Sequence, residues 1–403
     1  MAKGKKKTAS ASTSDKRGFY DKLVLNLFMI QLFGIDVLSE QYVQGKSGHK
    51  KLLRPFRKLS ERLENCSLDG LADDGLHHYY HELAEGDFFG WPECRISQEM
   101  LLQYEKNIVQ HTEKINSSRS DAIRWKYYQW MTLLFVEIYL DRYFGNRAKL
   151  LADLNNFVDK FNQVYEEKGL RVTPYKDSDL NKLCLQNATG SGKTLLMTAN
   201  YWQYRYYEKK YNTINRDNGL TILLTPNERL SAQDADEFNK SGHYCVPYSK
   251  GAGDGSAIYT LEVQKLAEKD GDKSVSAAAL GDRNLLFIDE GHAGLSGKEA
   301  GAWYSYRSMM CVKGFAFEYS ATFKQAVEGT LLEDEYARAI LFDYSYRWFY
   351  EDGYGKDYQI FNLPESKDSA IQNNSQLDMY LTTSMLKYFQ QLFIYCDKKQ
   401  LLW

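Results

Sequence analysis

One short run of small residues ending in Lys-Thr restricts the fold of this chain more than any other feature. It reads Asn-Ala-Thr-Gly-Ser-Gly-Lys-Thr over residues 187–194, and it lies between an apolar segment, 183–186, and a segment with helical spacing, 195–207. Glycines let backbone N–H groups surround an anion without Cβ clashes, and the start of a helix adds partial positive charge. A strand, such a loop and a helix in this order predict a phosphate-binding loop.

The predicted loop assigns roles to individual side chains. Lys193 would reach the β- and γ-phosphates of a nucleoside triphosphate, and the Thr194 hydroxyl would bind Mg²⁺. The glycine that opens the general pattern is replaced by Asn187. The residues predicted to contact the nucleotide are Thr189, Gly190, Ser191, Gly192, Lys193 and Thr194.

The periodicity of the chain changes after Thr173. Up to about residue 172 the apolar residues follow helical spacing, which predicts an all-helical N-terminal domain. After it, four short apolar runs (183–185, 220–224, 285–288 and 315–319) alternate with helical stretches. Buried strands separated by helices predict an α/β fold with a parallel sheet and flanking helices.

The third of these apolar runs ends in two acidic residues, Asp289 and Glu290, followed by Gly291 and His292. This position places the two carboxylates at the carboxyl edge of the sheet, where open α/β folds bind ligands. Asp289 would hold Mg²⁺ through water, and Glu290 would orient and deprotonate an attacking water. Taken alone, acids at a strand end could instead cap a helix. The upstream loop favours the site.

Four segments of the chain occur in the order of helicase motifs I, Ia, II and III. They are residues 188–194, 225–230, 289–292 and 320–322. With them the chain resembles the first RecA-like lobe of a superfamily 2 helicase, most closely the DEAD/DEAH-box helicases related to the Res subunits of type III restriction enzymes. The resemblance implies a RecA-like lobe that binds ATP and Mg²⁺ and acts on double-stranded DNA, together with a nuclease or other defence-system subunits.

The resemblance also implies roles for residues outside the phosphate loop. Thr225, Pro226 and Arg229 would contact the sugar-phosphate backbone of one DNA strand, although Thr-Pro after a strand is also a good turn. His292 would bond toward Ser320 or Thr322 and couple the nucleotide state to the DNA-facing side, although Ser-Ala-Thr is also a good helix cap.

Gln129 is a further residue to which the resemblance gives a role. It would read the adenine edge and so favour ATP over GTP, although a surface glutamine on an aromatic helix is an equal alternative.

Composition limits the remaining possibilities. Hydrophobic residues make up 43% and charged residues 26%, which suits buried cores, and a net charge of −2 excludes a uniformly basic nucleic-acid binder. The six cysteines form no C-x-x-C pair, which suits a reducing compartment. No apolar stretch is long enough to cross a bilayer. We therefore expect a cytoplasmic protein with no membrane partner.

The predicted organisation has four parts. Residues 1–17 form a disordered basic tail, 18–172 the helical domain, 173–363 the ATP-binding lobe, and 364–403 a linker and a helix that lead to a second lobe. No second strand-helix series follows Thr322. We therefore expect a fragment that binds ATP weakly and hydrolyses it poorly by itself.

These features predict an ATP-dependent DNA helicase or translocase of superfamily 2 in a bacterial restriction or anti-phage system. Two alternatives remain open. One is a nucleotide-dependent binding or assembly module that does not unwind, and the other is an RNA-directed motor.

Overall fold

A computed structural model of the chain describes residues 18–39, 42–44, 50–52, 54–64, 69–213, 219–251, 257–269, 271, 274–293, 295, 300–355 and 374–400. The predicted basic tail, residues 1–17, lies outside the described residues. So does most of the predicted linker, residues 364–373.

The described residues contain thirteen α-helices and eleven strands. The helices are α1 (Val24–Gln31), α2 (Pro55–Ser60), α3 (His78–Ala84), α4 (Gln98–Asn116), α5 (Tyr127–Gly145), α6 (Arg147–Tyr165), α7 (Lys193–Lys210), α8 (Glu228–Lys240), α9 (Ala300–Met310), α10 (Lys324–Val327), α11 (Glu333–Ala339), α12 (Tyr346–Glu351) and α13 (Asn374–Gln400). The strands are β1 (Tyr42–Gln44), β2 (Lys50–Leu52), β3 (Lys182–Asn187), β4 (Thr221–Thr225), β5 (Cys245–Pro247), β6 (Ile258–Glu262), β7 (Leu266–Ala267), β8 (Val275–Ser276), β9 (Leu285–Ile288), β10 (Phe315–Ser320) and β11 (Ile340–Tyr344).

Seven of the strands form one sheet in the order β11-β3-β10-β9-β4-β6-β5, and every pair in it is parallel. The predicted α/β fold with a parallel sheet is confirmed. The four predicted apolar runs are its central strands β3, β4, β9 and β10. Strands β5, β6 and β11 were not predicted: β5 has only three residues and ends in a proline, and β11 lies within an aromatic stretch without a clear period.

The central strands are apolar because the sheet is covered on both faces. Every residue of β4, β9 and β10 is buried. Phe287 of β9 and Phe317 of β10 are neighbours in register, and their rings stack 5.3 Å apart at 7°. Strands buried on both sides read as continuous apolar runs and not as alternating ones. This explains why the central strands could be predicted from the sequence.

The N-terminal region is helical, as predicted, with one correction. Strands β1 and β2 form a short antiparallel pair within it, too short to show a period in the sequence. The region shares its core with the sheet, because α5 packs against both α7 and β11. The chain through Gly355 forms one compact unit. The boundary predicted at residue 172 therefore marks a change of periodicity and not a break in packing.

The remaining residues form a second unit, whose described part is the 27-residue helix α13. A final helix was predicted over residues 377–402, and the helix begins three residues earlier. Its exposed large apolar side chains are Met379, Leu381, Met385, Leu386, Tyr388, Phe389, Leu392 and Phe393. Neither this helix nor any other described one combines the length and apolar character needed to span a bilayer.

Candidate nucleotide site

The phosphate loop joins β3 to α7 as the sequence predicted. Gly190 and Gly192 have φ values of 83° and 88°, in the left-handed region that favours glycine. Gly192 also has a steric reason to lack a side chain, since a Cβ there would lie 2.5 Å from Nε2 of Gln129. The two glycines let the chain turn sharply from the strand end into the first turn of α7.

Asn187, the departure from the general pattern, is the last residue of β3 and pairs in register with Tyr344 of β11. Its backbone is extended, a conformation that any residue adopts, so the missing glycine does not alter the course of the loop. Its side chain is fully buried, and neither Oδ1 nor Nδ2 has a hydrogen-bond partner.

The sheet brings Lys193 and Glu290 together from positions almost a hundred residues apart. Lys193 Nζ lies 3.2 Å from Oε1 of Glu290. Glu290 has a φ of 48°, a left-handed conformation that costs a non-glycine residue about 1–2 kcal/mol. That turn follows β9 directly and aims the carboxylate at the phosphate loop. Burial raises the pKa of Glu290, but a hydrogen bond from His292 and the charge of Lys193 outweigh it and hold the pKa below its usual value.

Asp289 is buried at the end of β9, where its backbone N–H donates to the carbonyl of Leu224 at 2.9 Å. Burial and then the neighbouring Glu290 carboxylate raise the pKa of Asp289 to about 6. The two adjacent acids therefore have opposite environments. Glu290 is paired with the Lys193 ammonium, whereas Asp289 lies in a pocket that disfavours its charge.

A third acid at the site, Asp234 of α8, was not predicted. Its Oδ1 accepts a hydrogen bond from the Thr194 hydroxyl at 3.0 Å. Burial and then the charge of Asp289 raise the pKa of Asp234 to about 7. The one signal in the sequence was its spacing, since Ser231, Asp234 and Phe238 form the buried face of α8 and an acid is unusual there.

The residues present fit a nucleoside triphosphate with Mg²⁺. Besides Asn187, Oγ of Ser191 and Oδ2 of Asp234 are buried without a hydrogen-bond partner, a costly state that a bound anion and a cation would relieve. Thr194 and Asp289 are the residues that would hold the metal. The described residues contain no group of three His, Cys, Asp or Glu side chains that could bind a metal by themselves. Mg²⁺ usually takes one or two carboxylates and completes its shell with water and phosphate oxygens, and Asp289 and the Thr194 hydroxyl are ligands of that kind.

His292 lies between the acid pair and the end of β10. Its Nδ1 is 2.7 Å from Oγ of Ser320 and 3.3 Å from Oε2 of Glu290. The Ser320 hydroxyl also contacts Thr322, whose backbone N–H donates to it at 3.1 Å. The predicted contact between His292 and Ser320 is present, and its role in coupling remains a prediction.

Gln129 is buried, which removes the alternative of a surface glutamine. Its Nε2 donates to the carbonyl of Ser191 at 2.8 Å, and its Oε1 accepts from the backbone N–H of Lys126 at 2.9 Å. The amide therefore ties the start of α5 to the phosphate loop. One N–H and one lone pair remain for another partner, so reading of the adenine edge stays a prediction.

The three residues that were predicted to contact nucleic acid differ in their exposure. Arg229 is exposed on the first turn of α8, and Pro226 is half-buried. Thr225 is fully buried, and its hydroxyl lies 2.5 Å from the hydroxyl of Ser231. Its side chain therefore packs within the strand-to-helix turn, and contact of Thr225 with a sugar-phosphate backbone stays a prediction.

Arg307 of α9 binds the turn that follows the acid pair, and it was not predicted from the sequence to be part of the site. Its Nη1 donates to the carbonyl of Gly291 at 3.1 Å, and its Nη2 lies 2.5 Å from Glu318 of β10. The N–H of Gly291 donates to the carbonyl of Tyr319 at 2.7 Å. A Cβ at Gly291 would meet Glu318 at 3.2 Å, a tight contact that would require Glu318 to shift.

A parallel sheet with this phosphate loop, acid pair and hydroxyl-bearing strand end along one edge defines a RecA-like nucleotide-binding lobe. Residues 146–325 match the family described as type III restriction enzyme, res subunit. The predicted resemblance is confirmed there. The match begins at the residue before α6, earlier than the predicted start of the lobe.

Two solved structures of the UvsW helicase from bacteriophage T4 are also similar to the chain. The first shares 18% identity over 41% of this chain and 31% of its own, with a TM-score of 0.27. The second shares 14% identity over 74% of this chain and 96% of its own, also with a TM-score of 0.27. No curated protein sequence matches the chain.

Proposed function

We propose that this chain is the ATP-hydrolysing motor lobe of a superfamily 2 helicase or translocase that acts on double-stranded DNA. The observation that carries the proposal is one continuous series of contacts. It runs from Lys193 to Glu290 at 3.2 Å, from Glu290 to His292 at 3.3 Å, and from His292 to Ser320 at 2.7 Å. The series begins at the phosphate loop and ends at the end of β10.

The contacts suit phosphoryl transfer to water, in which the protein contributes positioning and charge stabilisation. Lys193 and the N–H groups of the loop would hold the phosphates. Glu290 would then lose Lys193 as a partner and keep His292. With one cation withdrawn, the Glu290 carboxylate becomes more basic and can orient a water molecule and accept its proton.

The same series offers a path from hydrolysis to nucleic acid. His292 contacts both Glu290 and Ser320, so a change in the partners of Glu290 alters the charges that face His292. Coupling between two sites requires an element whose contacts differ between two states, and the contacts of His292 would differ before and after nucleotide binding. Arg229, exposed near the same sheet edge, would bind the backbone of the nucleic acid.

The choice of duplex DNA and a defence role rests on the family match. The family that covers residues 146–325 is named for a restriction-enzyme subunit. We therefore propose that the protein works in a bacterial restriction or anti-phage system with a nuclease or other defence subunits.

The test is steady-state ATP turnover by the 403-residue chain with duplex DNA, with RNA and without nucleic acid. Lys193→Ala and Glu290→Gln are measured beside the wild type. We expect slow turnover, because the described residues form a single lobe, and we expect duplex DNA to raise it. Glu290→Gln should lower turnover about 100-fold or more, the lower end of the range for loss of a positioned acid–base group, and Lys193→Ala should lower it as well.

Three results would count against parts of this proposal. Turnover that neither DNA nor the two substitutions change would refute a motor lobe. Stimulation by RNA but not by duplex DNA would indicate an RNA-directed motor. Nucleotide binding that alters partner affinity, without nucleic-acid-stimulated turnover, would indicate an assembly module.

A further inference from the structure

Asp234 lies outside the four motifs, yet its carboxyl group is buried beside the start of α7. Only 1% of the residue is exposed, and its Oδ1 accepts the hydroxyl hydrogen of Thr194. Because that hydroxyl donates to Asp234, its lone pairs stay available for another partner. The contact therefore prepares the Thr194 oxygen to act as a ligand for a cation.

The second oxygen of the same carboxyl group is left without a partner. Oδ2 of Asp234 is buried and accepts no hydrogen bond from the described residues. The Lys193 ammonium pairs with Glu290 at 3.2 Å, and its charge reaches Asp234, but no hydrogen bond joins it to Oδ2. A buried carboxylate with an unpaired oxygen is costly unless a charge or a donor reaches it.

Asp289 makes the local excess of negative charge larger. It is buried at the end of β9, and the two carboxyl groups are close enough for the charge of Asp289 to act on Asp234. Two buried acids near each other, one of which accepts the Thr194 hydroxyl hydrogen, match the preference of Mg²⁺ for oxygen ligands.

We propose that Asp234 is a positioning residue of the magnesium site, which orients the Thr194 hydroxyl through Oδ1 and accepts a hydrogen bond from the cation's water shell through Oδ2. This inference rests on the proposed function, since it takes Thr194 and Asp289 as the residues that hold Mg²⁺ beside a triphosphate. Residues in this position tune metal affinity without touching the metal.

The competing explanation is purely structural, in which Asp234 only joins α8 to α7. The two explanations differ in one measurable quantity, the gain in nucleotide affinity that Mg²⁺ produces. A structural contact would affect binding equally with and without the metal. A positioning residue of the metal site would affect the gain itself.

The experiment compares binding of a non-hydrolysable ATP analogue to the 403-residue chain in Mg²⁺ and in EDTA, by calorimetry. Asp234→Asn keeps the shape and one acceptor oxygen for Thr194 but removes the charge. We expect it to reduce the gain from Mg²⁺ about 10- to 100-fold, with affinity in EDTA unchanged or higher. Asp236→Asn is the matched control, because its side chain is 62% exposed on the same helix, and it should keep the wild-type gain.

Two further measurements make the test independent of folding and hydrolysis. Because a neutral amide avoids a buried unpaired charge, we expect the melting temperature of Asp234→Asn in EDTA to be no lower than that of the wild type. If Asp234→Asn does not fold, Asp234→Ser replaces it in the binding measurements. A titration with Mn²⁺, followed by electron paramagnetic resonance in the presence of the analogue, should show weaker metal binding in the variant.

The outcomes separate the two proposals. If the wild type gains affinity from Mg²⁺ and both Asp234 variants keep the full gain, the inference is overturned and the proposed function stands. If the wild type binds no analogue in Mg²⁺, the proposed function fails and this inference fails with it.

Discussion

At the scale of single residues, the site contains groups held in unfavourable states by the fold. Glu290 has a left-handed backbone with φ of 48°. The side-chain amide of Asn187, Oγ of Ser191 and Oδ2 of Asp234 are buried without hydrogen-bond partners. Such strain and unpaired polarity concentrate at functional sites. Their convergence at one loop distinguishes this edge of the sheet from an ordinary strand-to-helix junction.

Gln129 provides a test at this scale. Removing its side chain in Gln129→Ala deletes the hydrogen bonds to Ser191 and to Lys126. A loop that has lost this anchor should bind phosphate less well, so we expect affinity for ATP and for GTP to fall alike, by about tenfold, as for the loss of a hydrogen bond worth about 1–1.5 kcal/mol. Titrations with both nucleotides measure the ratio, and Gln110→Ala, exposed on α4, is the control.

A selective loss for ATP would contradict that expectation. It would show instead that the remaining N–H and lone pair of Gln129 read the adenine edge, as the family resemblance implies.

The limits of sequence reasoning are also visible at this scale. The phosphate loop and the acid pair were found because each lies within a few consecutive residues beside an apolar strand. Asp234 and Arg307 were missed because their partners are distant in sequence, 40 residues for Thr194 and 16 for the carbonyl of Gly291. Such contacts depend on which strands are neighbours in the sheet, and the sequence of a single segment does not show the strand order.

At the scale of elements, α9 fixes the position of the acid pair. Arg307 joins the turn after β9 to β10, and Glu318 also contacts Lys182 at 3.3 Å and the Tyr336 hydroxyl at 2.8 Å. This ion network is buried and reaches the carbonyl of Gly291 through Arg307. The strand order places β9 beside β10, so the network can span both.

Arg307→Met is expected to destabilise the lobe by about 3–5 kcal/mol, because removing one partner leaves the buried charge of Glu318 partly uncompensated. Thermal unfolding measures the loss. Lys313→Met is the matched control, since its ion pair with Asp282 is largely exposed, and it should leave the transition unchanged. Restoration of stability by adding Glu318→Leu to Arg307→Met would confirm the cause, and an unchanged melting temperature in Arg307→Met would contradict it.

Some of the strands could be predicted from the periodicity of the sequence, and others could not. The covered strands β4, β9 and β10 were predictable because burial on both faces leaves them continuously apolar. Strand β11 was not, because it lies within an aromatic stretch without a clear period, and its register shifts between Ile340 and Phe342. Thr225 was predicted to contact DNA because of its position in a short sequence motif. The direction of its side chain depends on the helix that covers the strand, which the motif does not show.

At the scale of the whole molecule, the helical region and the sheet share one interior. Glu137 of α5 lies at their junction and accepts hydrogen bonds from Tyr207 at 2.6 Å, Gln203 at 2.7 Å and Asn107 at 2.9 Å. Burial raises the pKa of Glu137 to about 7, and these hydrogen bonds only partly offset the effect. The junction between α4, α5 and α7 therefore contains an acid that the folded chain prefers to keep protonated.

This acid makes stability depend on pH in a defined direction. The pKa of Glu137 is higher in the folded chain than the usual value near 4.5, so its contribution is fully present below about pH 4.5 and is lost as the pH rises through 7. The rise of the Glu137 pKa from 4.5 to about 7 corresponds to a loss of about 3 kcal/mol above pH 7.

We expect the free energy of unfolding to fall between pH 5 and pH 8, and to fall less in Glu137→Gln. Denaturant unfolding across that range measures both slopes, with the exposed Glu99→Gln as the control. Asp234 and Asp289 contribute in the same direction, so the variant should flatten the dependence without abolishing it. Equal slopes in the wild type and in Glu137→Gln would contradict the account of this junction.

The central claim is that residues 187–194, Asp289 and Glu290 form a site for a nucleoside triphosphate with Mg²⁺. The most direct test is a calorimetric titration of the 403-residue chain with a non-hydrolysable ATP analogue in Mg²⁺, beside Lys193→Ala and the exposed control Lys209→Ala on the same helix. We predict measurable binding that Lys209→Ala preserves and Lys193→Ala weakens about 10- to 100-fold, as for loss of a charged hydrogen bond worth about 1.5–3 kcal/mol. No binding by the wild type, or equal binding by Lys193→Ala, would contradict the claim.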